Sequence, residues 1–285
     1  MMFHDSEQCI RNVENCLRSM DIDKIYNCDC VDGMQKLDAE SIDLVVTSPP
    51  YDKLRNYNGI GKTWNHTKFM SVANELFRIV KNGGVVVWNV NDQTEKGSKT
   101  GTSFRQALFF MEIGIKLNDV MIWQKTNPLP QVRQPRYNAC YEFMFVFSKG
   151  KPKTFNPIMR KTKYGGQEYH STAKNIGGEN GRRKLDTIIN NESVDYNIWQ
   201  IAVAQNKTGH PAVFPIQIPI RHIRSWSNEN DVVLDPFIGS GTTAIAAIKE
   251  KRHYIGMELN KEYYDIACER IKKENEEIET SLFSL

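Results

Sequence analysis

A glycine-rich turn between an apolar run and a helical pattern is the part of this chain best suited to hold a ligand. Val232-Val233-Leu234 reads as a buried strand, and it is followed by Asp235-Pro236-Phe237-Ile238-Gly239-Ser240-Gly241-Thr242-Thr243 and then by an alanine-rich helix. Glycines let the backbone approach a ligand closely, and a helix N-terminus offers unpaired N–H groups. Glu258 follows nineteen residues after Gly239, at the spacing where an acidic side chain holds a ribose diol. Together these features predict a site for an adenosine-containing cofactor.

A second turn has the character of a catalytic loop. The apolar run Ile42–Thr47 reads as a strand and leads directly into Ser48-Pro49-Pro50-Tyr51. Proline has a fixed φ and no N–H group, so it leaves the hydrogen-bond ladder and makes the exit from a strand rigid. The hydroxyl and carbonyl oxygens of such a turn are not all used by the sheet. They are therefore available as hydrogen-bond acceptors beside an aromatic ring.

The two motifs together resemble those of the amino-methylating DNA methyltransferases. These enzymes transfer a methyl group from S-adenosylmethionine to an exocyclic nitrogen of a DNA base. The order found here, with the catalytic motif first and the cofactor loop last, resembles the β group of that family, and the resemblance spans roughly residues 24–272. It implies an α/β fold with a doubly wound, mostly parallel sheet. This is the Rossmann-like methyltransferase fold, here with a permuted order of motifs.

The resemblance also implies which residues hold S-adenosylmethionine. Glu258 would accept hydrogen bonds from the ribose hydroxyls, and Asp29 from the adenine amino group, although capping of a strand end is an alternative role for Asp29. Thr242 and Thr243 would reach the carboxylate of the cofactor. The complete predicted cofactor set is Asp29, Phe214, Asp235, Phe237, Gly239, Ser240, Gly241, Thr242 and Glu258.

The catalytic set implied by the resemblance is Ser48, Pro49, Pro50 and Tyr51. The lone pair of an exocyclic amine is delocalised into the base, and two acceptors aimed at its hydrogens favour a pyramidal, nucleophilic nitrogen. The Ser48 hydroxyl and the Pro49 carbonyl are the candidate acceptors, and Tyr51 would stack on a base flipped out of the duplex. Serine at the first position favours cytosine N4 as the target, and adenine N6 stays open.

The charge distribution predicts a DNA surface. The window from Lys149 to Lys184 contains ten basic and two acidic residues and carries +8, whereas the whole chain carries +3. Such asymmetry is typical of a polyanion partner, here double-stranded DNA, and a solvated loop is the alternative. The candidate DNA-binding residues are Arg133, Arg136, Tyr137, Arg160, Lys161, Lys163, Arg182, Arg183 and Lys184. A homodimer is a second possible partner.

Other features narrow the class of protein. No Pro-Cys pair occurs, which excludes the usual cysteine route to carbon-5 cytosine methylation. Six scattered cysteines without a Cys-x-x-Cys pair predict reduced thiols and no metal site. No run of 18 apolar residues and no secretory signal pattern occur, so we expect a cytoplasmic protein without a membrane span. A restriction–modification setting is implied by the resemblance.

Four regions are predicted along the chain. They are an N-terminal amphipathic helix within 1–23, the catalytic half of the methyltransferase domain at 24–150, a loop-rich target-recognition region at 151–206, and the cofactor-binding half at 207–285. Three other functions stay open. A nicotinamide-dependent dehydrogenase would leave the Ser-Pro-Pro-Tyr turn and the basic window unexplained. A protein or RNA methyltransferase is a closer alternative, and the dense basic window together with the late cofactor loop favours DNA over it. A non-catalytic DNA-binding module would not need the catalytic turn.

Overall fold

The structure is a computed structural model, and it describes residues 20–50, 64–128, 136–174, 182–204 and 215–282. An eight-stranded sheet forms its centre, in the order β1-β14-β13-β2-β3-β7-β6-β12. The strands of this sheet are β1 (Lys24–Tyr26), β2 (Ile42–Thr47), β3 (Val80–Val90), β6 (Lys116–Lys125), β7 (Tyr141–Ser148), β12 (Ile198–Ile201), β13 (Val232–Asp235) and β14 (His253–Met257).

The sheet is mostly parallel, as the sequence predicts. Five neighbouring strands pair in parallel, in the order β1, β14, β13, β2 and β3. Strand β7 runs antiparallel to both of its neighbours, β3 and β6. The edge strand β12 pairs in parallel with β6. The central strands are short apolar runs, and every residue of β2 is buried. Strands covered on both faces read as continuous apolar runs rather than as alternating patterns, which is why this sequence identifies them.

Helices cover both faces of the sheet. On one face α1, α2 and α3 pack around a core that includes Phe69, Trp88 and Phe110. On the other face α4 packs against β2 and β3, α5 packs against β13 and β14, and α6 packs against α5 and β1. The helices are α1 (Cys30–Met34), α2 (His66–Ile79), α3 (Thr102–Glu112), α4 (Gln217–Trp226), α5 (Thr242–Lys249) and α6 (Lys261–Leu282). In the described ranges, no helix is long and apolar enough to span a membrane.

The predicted motifs meet at one edge of the sheet. Ser48, Gly239 and Glu258 each follow the carboxyl end of a parallel strand, namely β2, β13 and β14. The loops after parallel strands open at the same edge, which is where ligands bind in doubly wound sheets. The strands β13 and β14 come last in the chain, although β13 lies directly beside β2 in the sheet. The permuted motif order is therefore compatible with one continuous site.

Residues Pro157–Tyr196 form a compact unit of their own. Its strands are β8 (Met159–Lys161), β9 (Glu168–Lys174), β10 (Arg182–Ile188) and β11 (Glu192–Val194), which form two antiparallel pairs. Strands therefore occupy more of the predicted target-recognition region than its Lys-, Asn- and Gly-rich composition indicates. Two-stranded sheets are held together mainly by backbone hydrogen bonds. Their strands show little alternation of apolar and polar residues, so the sequence does not predict them. A further pair, β4 (Thr94–Glu95) with β5 (Ser98–Lys99), belongs to the larger unit.

The structure differs from the sequence prediction at Asp29. Strand β1 ends at Tyr26, and Asp29 begins the short helix α1 instead of capping the end of a strand. Residue 198 begins β12, so the end of the region 151–206 belongs to the main sheet. The N-terminal amphipathic helix lies outside the described residues up to residue 19, and the four-region division stays a prediction.

Candidate active site

A buried carboxylate joins the two predicted motifs. Asp235, the last residue of β13, is 1% exposed, and its Oδ1 accepts hydrogen bonds from Thr47 Oγ1 at 2.6 Å and from the Phe237 N–H at 3.0 Å. Its Oδ2 accepts from Thr243 Oγ1 at 2.7 Å. Thr47 is the last residue of β2, directly before Ser48. The strand that leads into the Ser-Pro-Pro turn is thereby tied to the first residue of the glycine-rich loop.

The burial of Asp235 has an electrostatic consequence. Burial raises the pKa of its carboxyl to about 6, while the hydrogen bonds from Thr243, Thr47 and the Phe237 N–H oppose that rise. Two of the three donors to this carboxylate, Phe237 and Thr243, belong to its own loop, and the third, Thr47, belongs to β2. The structure thus gives Asp235 a function in shaping the turn, and it places the Thr243 hydroxyl on this carboxylate.

The glycine-rich turn closes on Glu258. Gly239 has φ 53° and Gly241 has φ 84°, both in the left-handed region that favours glycine. The Gly239 N–H donates to Glu258 Oε2 at 3.0 Å, and the Asn260 N–H donates to Oε1 at 2.8 Å. Burial raises the pKa of Glu258 above its ordinary value, and these two N–H groups limit the rise. Each carboxylate oxygen has two lone pairs, so this geometry leaves acceptor capacity for a diol.

Helix α6 contacts the same glycine-rich turn through the side chain of Arg270. Arg270 Nη1 donates to the Ser240 carbonyl, to Ser240 Oγ at 2.9 Å and to Thr242 Oγ1 at 3.5 Å. A Cβ atom added at Gly241 would lie 3.2 Å from Ala267 Cβ, one turn earlier on α6. Ser240 and Thr242 are buried. The turn therefore has its shape fixed on one side by α6 and on the other by Glu258.

Asp29 has a more local function than the sequence indicates. Its Oδ1 accepts from the Val31 N–H at 2.8 Å, which caps α1, and from Lys68 Nζ at 2.7 Å. Burial raises the pKa of the Asp29 carboxyl, but the bonds from Lys68 and Val31 outweigh burial, and the net pKa lies below its ordinary value. The side chain stays partly exposed. The structure shows Oδ1 capping a helix, whereas the alternative role that the sequence suggests for Asp29 is the cap of a strand end.

Aromatic rings flank the glycine-rich turn. The rings of Phe237 and Trp64 meet edge to face with centroids 5.1 Å apart, and the centroid of the Trp88 ring lies 6.3 Å from that of Phe237. Trp64 precedes α2, the helix that also carries Lys68. The wall near the cofactor loop is thus built from a residue of the predicted set and from two tryptophans outside it.

Three residues of the predicted catalytic turn, Ser48, Pro49 and Pro50, lie in the part of the chain that the structure describes. Ser48 is half-buried, Pro49 is buried and Pro50 is half-buried, directly after the end of β2. Thr47 pairs with Trp88 in the sheet, so the turn leaves the sheet beside the end of β3. Tyr51 and Phe214 lie outside the described residues.

The predicted DNA-binding residues fall into three groups. Tyr137 is 99% exposed, whereas the Arg136 guanidinium donates to Thr94 Oγ1 at 3.1 Å and to the Gly97 carbonyl at 2.7 Å and so holds the β4–β5 hairpin. In the unit Pro157–Tyr196, Lys161 and Lys163 are exposed, and the Arg160 guanidinium lies 4.0 Å from the ring centroid of Tyr196. The third group consists of Arg182, Arg183 and Lys184, which lie on β10 opposite residues 172–174 of β9. Arg133 lies outside the described residues.

Sequence reasoning missed Thr47, Trp64, Lys68 and Arg270. An aspartate followed by a short helical pattern is a known helix-start signal, and it could have revealed the cap at Asp29 but not its lysine partner. Arg270 lies thirty residues from Ser240 without a motif around it. Its contact arises from the packing of α6, which no local pattern encodes.

The residues present fit S-adenosylmethionine. Gly241 is the N-cap of α5 and has no side chain, so the N–H groups of the first turn stay available to a carboxylate. Glu258 offers acceptors for a diol, and Phe237 with Trp64 offers an apolar wall. A doubly wound sheet with this site at its carboxyl edge defines a nucleotide-cofactor enzyme of the methyltransferase type.

The comparisons with known proteins identify the family. A model of the N6/N4 methyltransferases, described as DNA methylase, matches residues 42–269. The orphan methyltransferase M.BamHII of Bacillus amyloliquefaciens is 48% identical over an alignment of 242 residues, and the match covers 81% of this chain and 89% of that protein. The chain therefore belongs to the N6/N4 DNA methylase family. It is an S-adenosylmethionine-dependent enzyme that methylates an exocyclic amino group in DNA.

Solved structures agree on the fold. The PvuII DNA methyltransferase (cytosine-N4-specific) superposes with a TM-score of 0.65 at 22% identity, over 90% of this chain and 92% of that one. The complex of M1.HpyAVI with S-adenosylmethionine superposes with a TM-score of 0.55 at 25% identity, over 87% and 98% of the two chains. The predicted fold class and cofactor are confirmed.

Proposed function

We propose that the chain methylates the N4 amino group of a cytosine flipped out of double-stranded DNA, with Ser48, Pro49, Pro50 and Tyr51 forming the catalytic turn. The observation that supports methyl transfer at this turn is the 2.6 Å hydrogen bond from Thr47 to Asp235, and the choice of cytosine rests on serine at position 48. The hydrogen bond joins the residue before Ser48 to the first residue of the cofactor loop. A methyl donor in that loop and an amine at the turn are then held as neighbours, and such positioning is a large part of catalysis.

The cofactor set divides into residues that contact S-adenosylmethionine and residues that hold the loop. Gly239, Gly241 and the first N–H groups of α5 would bind its methionine part, and Glu258 its ribose. Asp235, Ser240 and Thr242 are buried and bonded within the protein, so they would shape the loop. Asp29 keeps the adenine amino group as its proposed partner, together with Phe214 and Phe237 as wall residues. The bound cofactor supplies an electrophilic methyl group on a sulfonium.

At the turn, the protein activates the amine by accepting its hydrogens. The Ser48 hydroxyl and the Pro49 carbonyl would accept from the two N–H bonds and favour a pyramidal nitrogen with a localised lone pair. Tyr51 would stack on the flipped base. Bound S-adenosylmethionine would supply its methyl group in line with this lone pair, with the sulfur as leaving group, and the amine would release its surplus proton to solvent. Catalysis rests on positioning and electrostatics without a covalent enzyme intermediate.

The unit Pro157–Tyr196 is the proposed target-recognition surface. Its exposed Lys161 and Lys163 and the strand that carries Arg182, Arg183 and Lys184 supply positive charge for phosphates. Exposed Tyr137, together with Arg133 and Arg136, would border the target. A homodimer and a cytoplasmic, nucleoid-associated location complete the proposal.

Product analysis tests the target atom. Double-stranded DNA is incubated with the enzyme and methyl-labelled S-adenosylmethionine, digested to nucleosides, and the labelled nucleoside is identified by mass and retention time. N4-methyldeoxycytidine is expected. N6-methyldeoxyadenosine would overturn the cytosine assignment while keeping amino methylation, and 5-methyldeoxycytidine would overturn the chemistry of the Ser48 turn. A labelled RNA or protein substrate in parallel reactions, with no labelled DNA, would overturn DNA as the substrate.

A further inference from the structure

The beginning of helix α2 carries a lysine where a helix disfavours one. Lys68 is the third residue of α2, and its backbone N–H donates to the Asn65 side chain that caps the helix. The N-terminus of a helix carries a partial positive charge, so its first turn favours acidic residues and disfavours lysine. No acidic residue occurs in the first turn of α2. A residue that weakens its own element in this way indicates a function outside that element.

The side chain of Lys68 contacts the carboxylate of Asp29. Lys68 Nζ lies 2.7 Å from Asp29 Oδ1, and the two side chains are only 28% and 25% exposed. Oδ1 also accepts from the Val31 N–H at 2.8 Å, whereas Oδ2 has no donor among the described residues. An ammonium group has three N–H bonds, and the described part of the chain uses one of those of Lys68. The pair therefore offers an acceptor oxygen and donor hydrogens next to each other.

The sheet places this pair beside the proposed ribose site. Asp29 follows β1 and Glu258 follows β14, and these two strands are parallel neighbours. The Glu258 N–H donates to the Tyr26 carbonyl at 3.0 Å, and Asn27 Nδ2 donates to the Glu258 carbonyl at 2.8 Å. These bonds hold the ends of the two strands together. Because the base of a nucleoside is attached to its ribose, a ribose at Glu258 brings its adenine close to the loop after β1.

The same part of α2 also contacts the glycine-rich turn. Trp64 lies four residues before Lys68, and its ring meets that of Phe237 edge to face, with centroids 5.1 Å apart. Phe237 belongs to the loop after β13, which is the neighbour of β14 on the side away from β1. The start of α2 thus reaches from the loop after β13 to the loop after β1, across the end of the strand before Glu258. The rings offer apolar surface to a flat base, and the Lys68–Asp29 pair offers polar groups to its edge.

We propose that Lys68 selects the adenine of the cofactor by donating to a ring nitrogen beside the amino group, while Asp29 Oδ2 accepts from the amino group itself. Adenine has an acceptor nitrogen on each side of that group, N1 and N7, and an adjacent donor and acceptor match this pattern. Amide side chains read adenine in DNA through the same combination. The oxo group of hypoxanthine would instead place an acceptor against the carboxylate. This inference rests on the proposed function, which places the adenine at Asp29.

Calorimetric titration with S-adenosylhomocysteine and its analogues, without DNA, tests the proposal. In the 1-deaza and 7-deaza analogues, a C–H group replaces N1 or N7. The wild type should bind one of these two about 10- to 100-fold more weakly than S-adenosylhomocysteine. Lys68→Met has no donor, so it should bind S-adenosylhomocysteine more weakly by a similar factor and should bind that same analogue no more weakly still. Lys251→Met, at an ion-paired lysine before β14 and hence at the opposite edge of the sheet, should behave as the wild type.

Labelling of lysine amines in the wild type, followed by mass spectrometry, gives a second measurement that needs no variant. Bound S-adenosylhomocysteine should slow the labelling of Lys68 and leave that of Lys251 unchanged. An unchanged rate at Lys68 would overturn the proposal. Circular dichroism establishes whether Lys68→Met is folded, and the labelling experiment decides the matter if it is not.

The analogues separate Lys68 from the rest of the cofactor site. A wild type that binds both deaza analogues as tightly as S-adenosylhomocysteine would overturn the proposal. An equal loss in the wild type and in Lys68→Met would do so too, because another donor would then bind the ring nitrogen. Equal affinity for S-inosylhomocysteine would show that the amino group is not at Asp29, and both that placement and the inference would fail. The methylated base enters none of these measurements, so they are independent of the cytosine assignment.

Discussion

Thr47 Oγ1 donates a 2.6 Å hydrogen bond to Asp235 Oδ1, and the two residues are 188 positions apart in the chain. Each is the last residue of its strand, and the strands β2 and β13 are neighbours in the sheet. One bond therefore connects the exit to the Ser48 turn with the entry to the Gly239 loop. The end of the strand before Ser48 and the first residue of the glycine-rich loop therefore fix each other's position.

The buried Asp235 carboxyl should make stability depend on pH. Its folded pKa of about 6 lies above the ordinary 3.8, so the folded state holds the proton more tightly than the unfolded chain. The resulting stabilisation is fully present below about pH 4 and is lost as the pH rises through 6, on the order of 3 kcal/mol in total. Denaturant unfolding of wild type and Asp235→Asn between pH 4 and 7.5 measures it. The wild type should lose stability relative to the variant over that range, and a flat difference would contradict the assignment.

Glu258→Gln should weaken cofactor binding about 10- to 100-fold. Glutamine has one oxygen, so it cannot accept from both the Gly239 and Asn260 N–H groups and also from a ribose diol. Hydrogen bonds to a charged group contribute roughly 1.5–3 kcal/mol, which sets this range. Calorimetric titration with S-adenosylmethionine measures the dissociation constant. The matched control Glu279→Gln, at an exposed position on α6, should bind normally, and equal affinities for all three proteins would refute the role.

Arg270→Gln should raise the KM for S-adenosylmethionine more than it lowers kcat. Arg270 contacts Ser240 and Thr242 rather than the reacting atoms, so its loss should loosen the cofactor loop without altering the amine acceptors. Steady-state kinetics with varied cofactor at saturating DNA separates the two constants. Lys272→Gln, on the exposed side of the same helix, is the control. A fall in kcat alone would mean that Arg270 acts elsewhere than on cofactor binding.

Neutralising Arg182, Arg183 and Lys184 together should weaken DNA binding and leave cofactor affinity intact. Each lost phosphate contact should reduce the slope of log affinity against log salt by about 0.9. Fluorescence anisotropy on specific and random duplexes at several salt concentrations measures the slope, with Lys272→Gln/Lys273→Gln as the control. A larger loss on the specific duplex would identify base contacts. An unchanged slope and affinity on both duplexes would leave this strand as a solvated surface.

The sequence predicts well where the strands next to the site end, but it does not predict which distant residues bond to the side chains there. Ile42–Thr47 and Val232–Asp235 are apolar runs closed by turn residues, and the family motifs lie directly after them, so local pattern was enough. The hydrogen bonds of Asp235 to Thr47, and of Arg270 to Ser240, depend on how distant elements pack. Asp29 shows the same limit, because its bond from Lys68 joins residues 39 positions apart, although the helix cap itself has a local signal.

Single-turnover kinetics of Ser48→Ala is the most direct test of the catalytic turn. The Ser48 acceptor is needed mainly as the amine becomes pyramidal, so its loss should slow the chemical step about 10- to 100-fold, while DNA and cofactor dissociation constants stay near the wild-type values. Ser98→Ala, an exposed serine on β5, is the control and should react at the wild-type rate. A chemical step in Ser48→Ala within twofold of the wild type would contradict the account of amino methylation at this turn.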